Sequence, residues 1–426
     1  MNLSKIAIDL AAKCKPILVK MIPIQLLRVV KDGLIEKNTN NLKNQNIKEF
    51  DPEKFKDGIN LIGNIKADNG LGQSTRLVAD ILTSSGIDFS VYNYYQLPGG
   101  SMTDTTYEFK ISEELPYNIN LIHVNASEFT VAYLQLGKKI WNSRYNIAFW
   151  LWELEEFPEE WVGCIDLLDE IWTPAEFVSE SIRKKTNKPV RTIPYAVKAP
   201  TDETYNRKHF DLPEDKFLFF MMYNSGSIME RKNPIGTLEA FKKAFEKDNN
   251  NVGLVIKINE MEDSSEIARI MDFFDGYTNI YFITTNMSKI EVNSLIREVD
   301  VLVSLHRAEG FGLAMAEAML VGTPTIATNW SANTEFMNSD VACMVDYELI
   351  EIKKDYGLFK KGYRWADADI YQAAEYMKKL YQDKDFRMNM ADKAKKFIGE
   401  KLCIESTVKL VEDRIAQIYL EKRKLK

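Results

Sequence analysis

Residues 300–336 read DVLVSLHRAEGFGLAMAEAMLVGTPTIATNWSANTEF. Val301 to Leu305 is a short, almost purely apolar run, the pattern of a strand buried on both faces of a parallel sheet. His306-Arg307-Ala308-Glu309 breaks the run, and Gly310 and Gly312 follow. A helical pattern covers Leu313 to Val321 and stops at Gly322. Pro324 precedes a further apolar run, Thr325 to Ala327, which predicts the next strand. Strand, glycine turn, helix and strand together are the repeat of an α/β domain with a parallel sheet. Glu317 is the exception inside the helix, set in an otherwise apolar stretch. A carboxylate there is expected to be at least partly buried, and a buried charge needs a partner. Glu309 lies eight positions earlier, at the carboxyl end of the strand, where open α/β sheets bind ligands.

The rest of the chain sets bounds on that reading. With 426 residues, two domains are the natural expectation. A hydrophobic content of 45% and a charged content of 27% are those of a globular protein. The net charge of −7 argues against general nucleic-acid binding. Cys14, Cys164, Cys343 and Cys403 are scattered without metal-ligand spacing and read as reduced thiols in a cytoplasmic protein. His123, His209 and His306 are too dispersed to suggest a zinc site. No stretch has the length of a membrane-spanning helix. Lysines at 5, 13, 15 and 20 interrupt any signal-peptide core.

Residues 1–37 carry apolar side chains at helical spacing, divided by Pro16 and Pro23. Over 1–31, six cations stand against the single Asp9, a net charge of +5. Such a segment lies on an anionic membrane surface or packs as an arm on its own domain or a partner, and both readings stay open. Residues 38–50 are polar and Asn-rich, as a linker is. Strands are then expected at Ile59–Ile62, Phe89–Asn93, Ile119–Val124, Tyr145–Trp152, Glu170–Thr173 and Val190–Ile193, with a helix from Gln73 to Ser85. Between the first strand and that helix, a loop bearing Gly70 and Gly72 points backbone N–H groups at an anion or forms an ordinary turn. Residues 194–216, with Pro194, Pro200 and Pro213, read as a domain linker. The alternation restarts with strands at Phe217–Tyr223, Val252–Ile258 and Ile280–Thr284, and a proline-opened helix at Pro234–Glu246. Asp367-Ala368-Asp369 has the form of a metal-binding triplet but opens a helix, so it reads as capping.

Glu309 and Glu317 around Gly-Phe-Gly-Leu resemble the signature of retaining glycosyltransferases of group 1, family 4. The string SLHRAEGFGL is similar to the bacterial surface-polysaccharide branch of that class. The resemblance is strong over the second half of the chain, weaker over the first domain, and absent over residues 1–50. It implies the GT-B fold: two Rossmann-like doubly wound domains facing across a cleft, with the last helix crossing back to the first domain. The expected division is an extension and linker at 1–50, an acceptor domain at 51–197 with a helix at 404–426, and a donor domain at 214–403. Val408, Val411, Ile415 and Ile418 have the spacing of a helix face in that last element.

The resemblance also implies roles. Lys232 matches the family lysine that reaches the donor diphosphate. The family's companion arginine falls here on Ser227, and the neighbouring Arg231 is the candidate substitute. Glu317 is the candidate for the ribose hydroxyls, because one carboxylate accepts two charge-assisted hydrogen bonds. Glu309 is expected to meet the transferred sugar's hydroxyls or its developing positive charge. The Gly310–Leu313 segment (Gly310, Phe311, Gly312, Leu313) would face sugar and phosphates, with Ser331, Asn333, Gly70 and Gly72 adding donor contacts. Many family members carry a histidine after the strand matching Tyr145–Trp152, where this chain has Glu153. Glu153 and Trp152 are therefore candidate acceptor contacts, with Trp150, Phe157 and Trp161 either a stacking wall or core. His123, at a predicted strand end, either touches the reacting groups or is structural.

The expected activity is hexosyl transfer from a nucleotide sugar to a saccharide, lipid-linked or protein acceptor. Anomeric configuration would be retained, and neither metal nor other cofactor required. The alternative is a GT-B subunit that binds acceptor or partner without turnover. The expected place is the cytoplasm, with attachment to the inner face of the cell membrane if residues 1–37 lie on it.

Overall fold

The computed structural model describes residues 47–94, 101–224, 228–259, 265–274 and 276–423. The amphipathic segment 1–37 and Ser227 lie outside the described residues. Contacts divide the chain into two units, Met1–Ala196 with Ile404–Lys426, and Val197–Cys403.

The first unit is built on β1 (Lys56–Gly63), β2 (Phe89–Asn93), β3 (Tyr117–His123), β4 (Tyr145–Phe149), β5 (Glu170–Thr173) and β6 (Val190–Thr192). All pair in parallel, in the order β2-β1-β3-β4-β5-β6. Helices α1 (Gly70–Ser85), α2 (Ala126–Leu136) and α3 (Glu176–Arg183) connect them. Helix α1 ends on Gly86 in the left-handed conformation, as the glycine after the apolar pattern predicts. Strand β4 is three residues shorter than its apolar run, because the Leu151 amide turns out of the sheet to Asn125 Oδ1 at 3.1 Å.

This sheet carries polar groups through its centre. Asn60, Asn120 and Asn146 are fully buried and stand in register on β1, β3 and β4. Asn60 Nδ2 donates to Asn120 Oδ1, and Asn120 Nδ2 to Asn146 Oδ1, both at 2.9 Å. Remaining donors reach the carbonyls of Tyr117, Ile140 and Trp141. Every step of the ladder is thus satisfied, which burial of an amide requires.

In the second unit, β7 (Phe217–Asn224), β8 (Val252–Asn259), β9 (Ile280–Ile283), β10 (Val301–Ser304), β11 (Thr325–Thr328) and β12 (Cys343–Val345) form the sheet. Its order is β12-β11-β10-β7-β8-β9, again all parallel. A hairpin the sequence reading lacks, β13 (Tyr347–Glu351) with β14 (Arg364–Ala368), stands beside it. The helices are α4 (Met229–Lys232), α5 (Pro234–Ala244), α6 (Ser265–Phe273), α7 (Lys289–Glu298), α8 (Leu313–Val321), α9 (Ile370–Gln382) and α10 (Lys384–Lys401). Asp369 caps α9, accepting from the amides of Tyr371 and Gln372. The polar stretch before β7 is held on this unit: Asn293 Nδ2 donates to the Pro200 carbonyl, and Arg207 pairs with Asp300 at 2.8 Å.

The last helix, α11 (Ile404–Arg423), belongs to the first unit. Val411, Ile415 and Ile418 are buried on it, with Val408 partly so. Tyr419 Oη accepts from the Gly58 amide and donates to Asn118 Oδ1. No helix among the described residues is long and apolar enough to cross a membrane.

Candidate functional site

In the second sheet the strand order reverses between β7 and β10, the topological switch point at which open α/β sheets bind ligands. The loops leaving those two strands carry the signature residues. After β7, the short α4 ends in Arg231 and Lys232. Asn233 follows at φ 49°, and its side chain does two things. Its Oδ1 caps α5 through the Gly236 amide, and its Nδ2 donates to the Leu305 carbonyl at 2.9 Å. The Arg307 amide donates to the Arg231 carbonyl at 2.7 Å, and Arg231 Nη1 to the Ala308 carbonyl at 2.9 Å. The two loops are thereby laced together.

Glu309 is 7% exposed, and its carboxylate takes Lys232 directly and Arg231 at 3.5 Å. Its own amide donates to Ser331 Oγ at 3.0 Å. Burial pushes the Glu309 carboxyl up, but Lys232 and Arg231 outweigh it and hold the group at about 2. Glu309 is an anion at any physiological pH. His306 lies beneath it, fully buried, with Nε2 3.0 Å from Asn333 Oδ1 and Nδ1 3.0 Å from Ser304 Oγ. Burial lowers its pKa.

Gly312 has φ 99°, and a Cβ on it would stand 2.5 Å from Met315 Cε, so the turn into α8 requires glycine. The amides of Gly312, Leu313 and Ala314 have no acceptor among the described residues. Three N–H groups at a helix start, beside two cations and one carboxylate, suit a ligand with an anionic end and a hydroxyl-bearing end. The Phe311 ring packs on Phe336 at 5.2 Å, so this residue offers backbone, not ring. Gly310 is buried in the same turn.

Glu317, on the second turn of α8, is 2% exposed, and Lys289 Nζ lies 2.5 Å from its Oε1. Burial raises its pKa, while Lys289 pulls it back. Ser331 and Asn333 do not offer free side chains to a donor. Both are buried, Ser331 taking the Glu309 amide and Asn333 joining His306 to the Thr328 carbonyl.

The candidates in the first unit form a separate group. Gly72 is packed so closely that a Cβ would meet the Ala67 carbonyl at 2.0 Å, and its amide is taken by Asn69 Oδ1. Gly70 is exposed at the helix start, with its amide unpaired among the described residues. His123 is buried, its Nε2 2.6 Å from Ser74 Oγ, which also meets Tyr195 Oη, and its ring stacks on Phe149. Burial pushes its pKa down to about 4. Trp152 is core: it packs edge-on against Trp161 at 4.8 Å and donates to the Glu156 carbonyl. Trp150, Phe157 and Trp161 pack with it, so these rings are spent on one another rather than forming a wall for an acceptor. Glu153 is half-buried in the loop after β4. Lys289 is the residue sequence reasoning missed. Its signal was the capping box of Ser288 and Glu291, which places Lys289 at the first position of α7.

Residues 202–397 match the family model described as glycosyl transferases group 1. The match lies within the second unit. Among solved structures, HepE of Anabaena, in complex with UDP and glucose, is 9% identical with a TM-score of 0.62, over 85% of this chain and 100% of that one. A glycosyltransferase from Rickettsia africae is 12% identical with a TM-score of 0.63, over 85% and 99%. Sucrose-phosphate synthase from Thermosynechococcus elongatus is 12% identical with a TM-score of 0.62, over 86% and 100%. At such identities the likeness shows the fold, which is GT-B. No curated protein matches the chain in sequence.

Proposed function

We propose that the protein transfers a hexosyl group from a nucleotide sugar to an acceptor hydroxyl, and that the second unit holds the donor. One observation carries this reading. Glu309, Lys232 and Arg231 meet at the switch point of a group 1 domain, beside the unpaired amides that open α8. Lys232, Arg231 and those amides suit a diphosphate. Glu309, always ionised, serves as an electrostatic partner for positive charge developing on the sugar ring and not as a proton donor.

Retention follows from attack on the face from which the leaving group departs. The bond from the anomeric carbon to the diphosphate oxygen breaks, the bond to the acceptor oxygen forms, and the acceptor proton passes to the departing diphosphate. The cations supply the charge that a divalent metal supplies elsewhere, so the reaction proceeds without one. Family 4 membership and a role in bacterial surface-polysaccharide synthesis fit the SLHRAEGFGL string. The acceptor class is a saccharide, a lipid-linked sugar or a protein. The basic residues 1–31 suit attachment to the anionic inner face of the cell membrane.

The test is calorimetry with UDP, GDP and ADP, followed by release of nucleoside diphosphate from the matching nucleotide sugars, with and without EDTA. UDP comes first because it is the nucleotide bound in the Anabaena structure. Binding and turnover that survive EDTA are expected. Loss of turnover with EDTA, restored by magnesium or manganese, overturns the metal-free mechanism. Binding without turnover on any acceptor class points to the non-catalytic subunit. Binding of no nucleotide overturns the donor site itself.

A further inference from the structure

The Glu317 carboxylate is buried on the helix that opens the donor site, and Lys289 is the charged group set against it. Lys289 is not part of the Glu309 cluster. It stands at the first residue of α7, where the Ser288–Glu291 capping box fixes the backbone. Its side chain is 32% exposed, so it reaches from solvent onto a carboxylate that is itself enclosed. Of the charged side chains on the elements around α8, including Glu291 and Arg297 on α7 and Lys395 on α10, Lys289 is the one whose charge acts on Glu317. Glu291 is turned away, holding the Ser288 amide and facing His209. Arg297 pairs with Glu203 and Glu298.

An enclosed carboxylate without a cation takes up a proton, and a protonated carboxyl loses half its accepting capacity and gains a donor. A carboxylate that must accept from two vicinal hydroxyls cannot work in that form. Lys289 engages one oxygen of the carboxylate, Oε1.

We propose that Lys289 is a positioning residue for nucleotide recognition, holding the Glu317 carboxylate ionised and in place to accept the ribose hydroxyls of the donor. This rests on the donor-site reading above. Lys289 acts through Glu317, so its removal should change the pH dependence and the ribose selectivity of binding, beyond any general loss of affinity. Burial already raises the pKa of Glu317, and loss of the ammonium raises it further. The balance then shifts toward the protonated form, and a rise in pH restores the acceptor form.

The experiment measures affinity for whichever of UDP, GDP and ADP binds the wild type most tightly, and for its 2′,3′-dideoxy form, from about pH 6 to about pH 9. The wild type should show a flat profile and favour the ribonucleotide by about tenfold or more, the worth of a hydrogen bond to a charged group. Lys289→Met should lose most of that preference at neutral pH and regain it toward pH 9, whereas Lys289→Arg should keep it. Glu317→Gln should lose the preference at every pH, and Lys289→Met should add nothing in that background. A Lys289→Met protein with the wild-type preference and a flat profile overturns the proposal while leaving the donor site intact. So does a loss of affinity equal for both nucleotides at all pH values, and so does failure of Lys289→Arg to rescue. Absence of any nucleotide binding by the wild type defeats the donor-site reading instead.

Discussion

Glu309 and Lys232 meet although 77 positions separate them, and each limits what the other does alone. The lysine holds the carboxylate ionised, and the carboxylate neutralises part of the charge that a diphosphate would seek. Removing one should therefore expose the other. Glu309→Gln should leave nucleoside diphosphate affinity equal to the wild type or slightly higher, because Lys232 no longer has a competing anion. Turnover should fall by about 100-fold or more, the scale of losing one preorganised electrostatic group. Lys232→Ala should instead weaken diphosphate binding by roughly 10- to 150-fold. Calorimetry beside initial rates separates the two, and a Glu309→Gln protein that loses affinity at full turnover contradicts the assignment. The ion pair also has a pH signature. Its carboxyl is held at about 2, below the ordinary 4.5, so its stabilisation is full above the ordinary value and disappears as pH falls through the lower one. The melting-temperature gap between wild type and Glu309→Gln should shrink across that acid window. A constant gap would mean that the charge on Glu309 does not contribute.

At the scale of elements, the strands owe their places to apolar runs, but the centre of the first sheet is fixed by amides. Asn120 donates on to Asn146 and accepts from Asn60, so a change there leaves partners on both sides. Asn120→Ala should cost about 1–3 kcal/mol for each buried group left unpaired, read as a lower urea midpoint. Asn120→Asp should be worse, because a buried carboxylate faces the Asn146 oxygen. Equal stability of all three proteins would show that the ladder is incidental. None of this is visible in one strand: an asparagine between an isoleucine and a leucine, as at 60 and 120, looks like any polar position in an alternating strand. The same limit runs through the site. Residues 301–321 were legible because glycine turns, a strand and a helix each leave a local mark. The Glu309–Lys232 pair needed the order β10-β7, which no local pattern states. Trp152 was a candidate because an aromatic face suits a sugar, yet Trp161 turns back onto it. The β13–β14 hairpin was missed because its outer positions are polar and its pairing is with itself.

At the scale of the whole molecule, the first unit is closed by a helix that arrives from the far end of the sequence. Arg414 on α11 reaches Glu170 on β5 with Nη2 2.5 Å and Nε 2.9 Å from the carboxylate oxygens. Glu170 is completely buried and also takes Tyr145 Oη at 3.0 Å and Trp172 Nε1 at 2.8 Å. The pair fixes where α11 lies, while Val411, Ile415 and Ile418 supply the apolar contact. Desolvation costs of such pairs are large, so the ion pair is a device of placement more than of net stability. Arg414→Ala leaves the buried carboxylate to the half-exposed Arg191, 3.9 Å away, and should cost about 3–5 kcal/mol. Replacing both partners, Arg414→Met with Glu170→Leu, should recover most of that loss, because no buried charge remains without its counterion. Hydrogen exchange is the direct readout: Arg414→Ala should speed exchange in β4, β5 and α11 and leave β7 and β10 at their wild-type rates. Nucleotide affinity should hold, since Lys232, Arg231, Glu309 and Glu317, proposed to hold the donor, all lie in the second unit. If the double replacement is as unstable as Arg414→Ala, the hydrogen bonds and not the stranded charge carry the cost. If Arg414→Ala is as stable as the wild type, α11 is held by its apolar face alone.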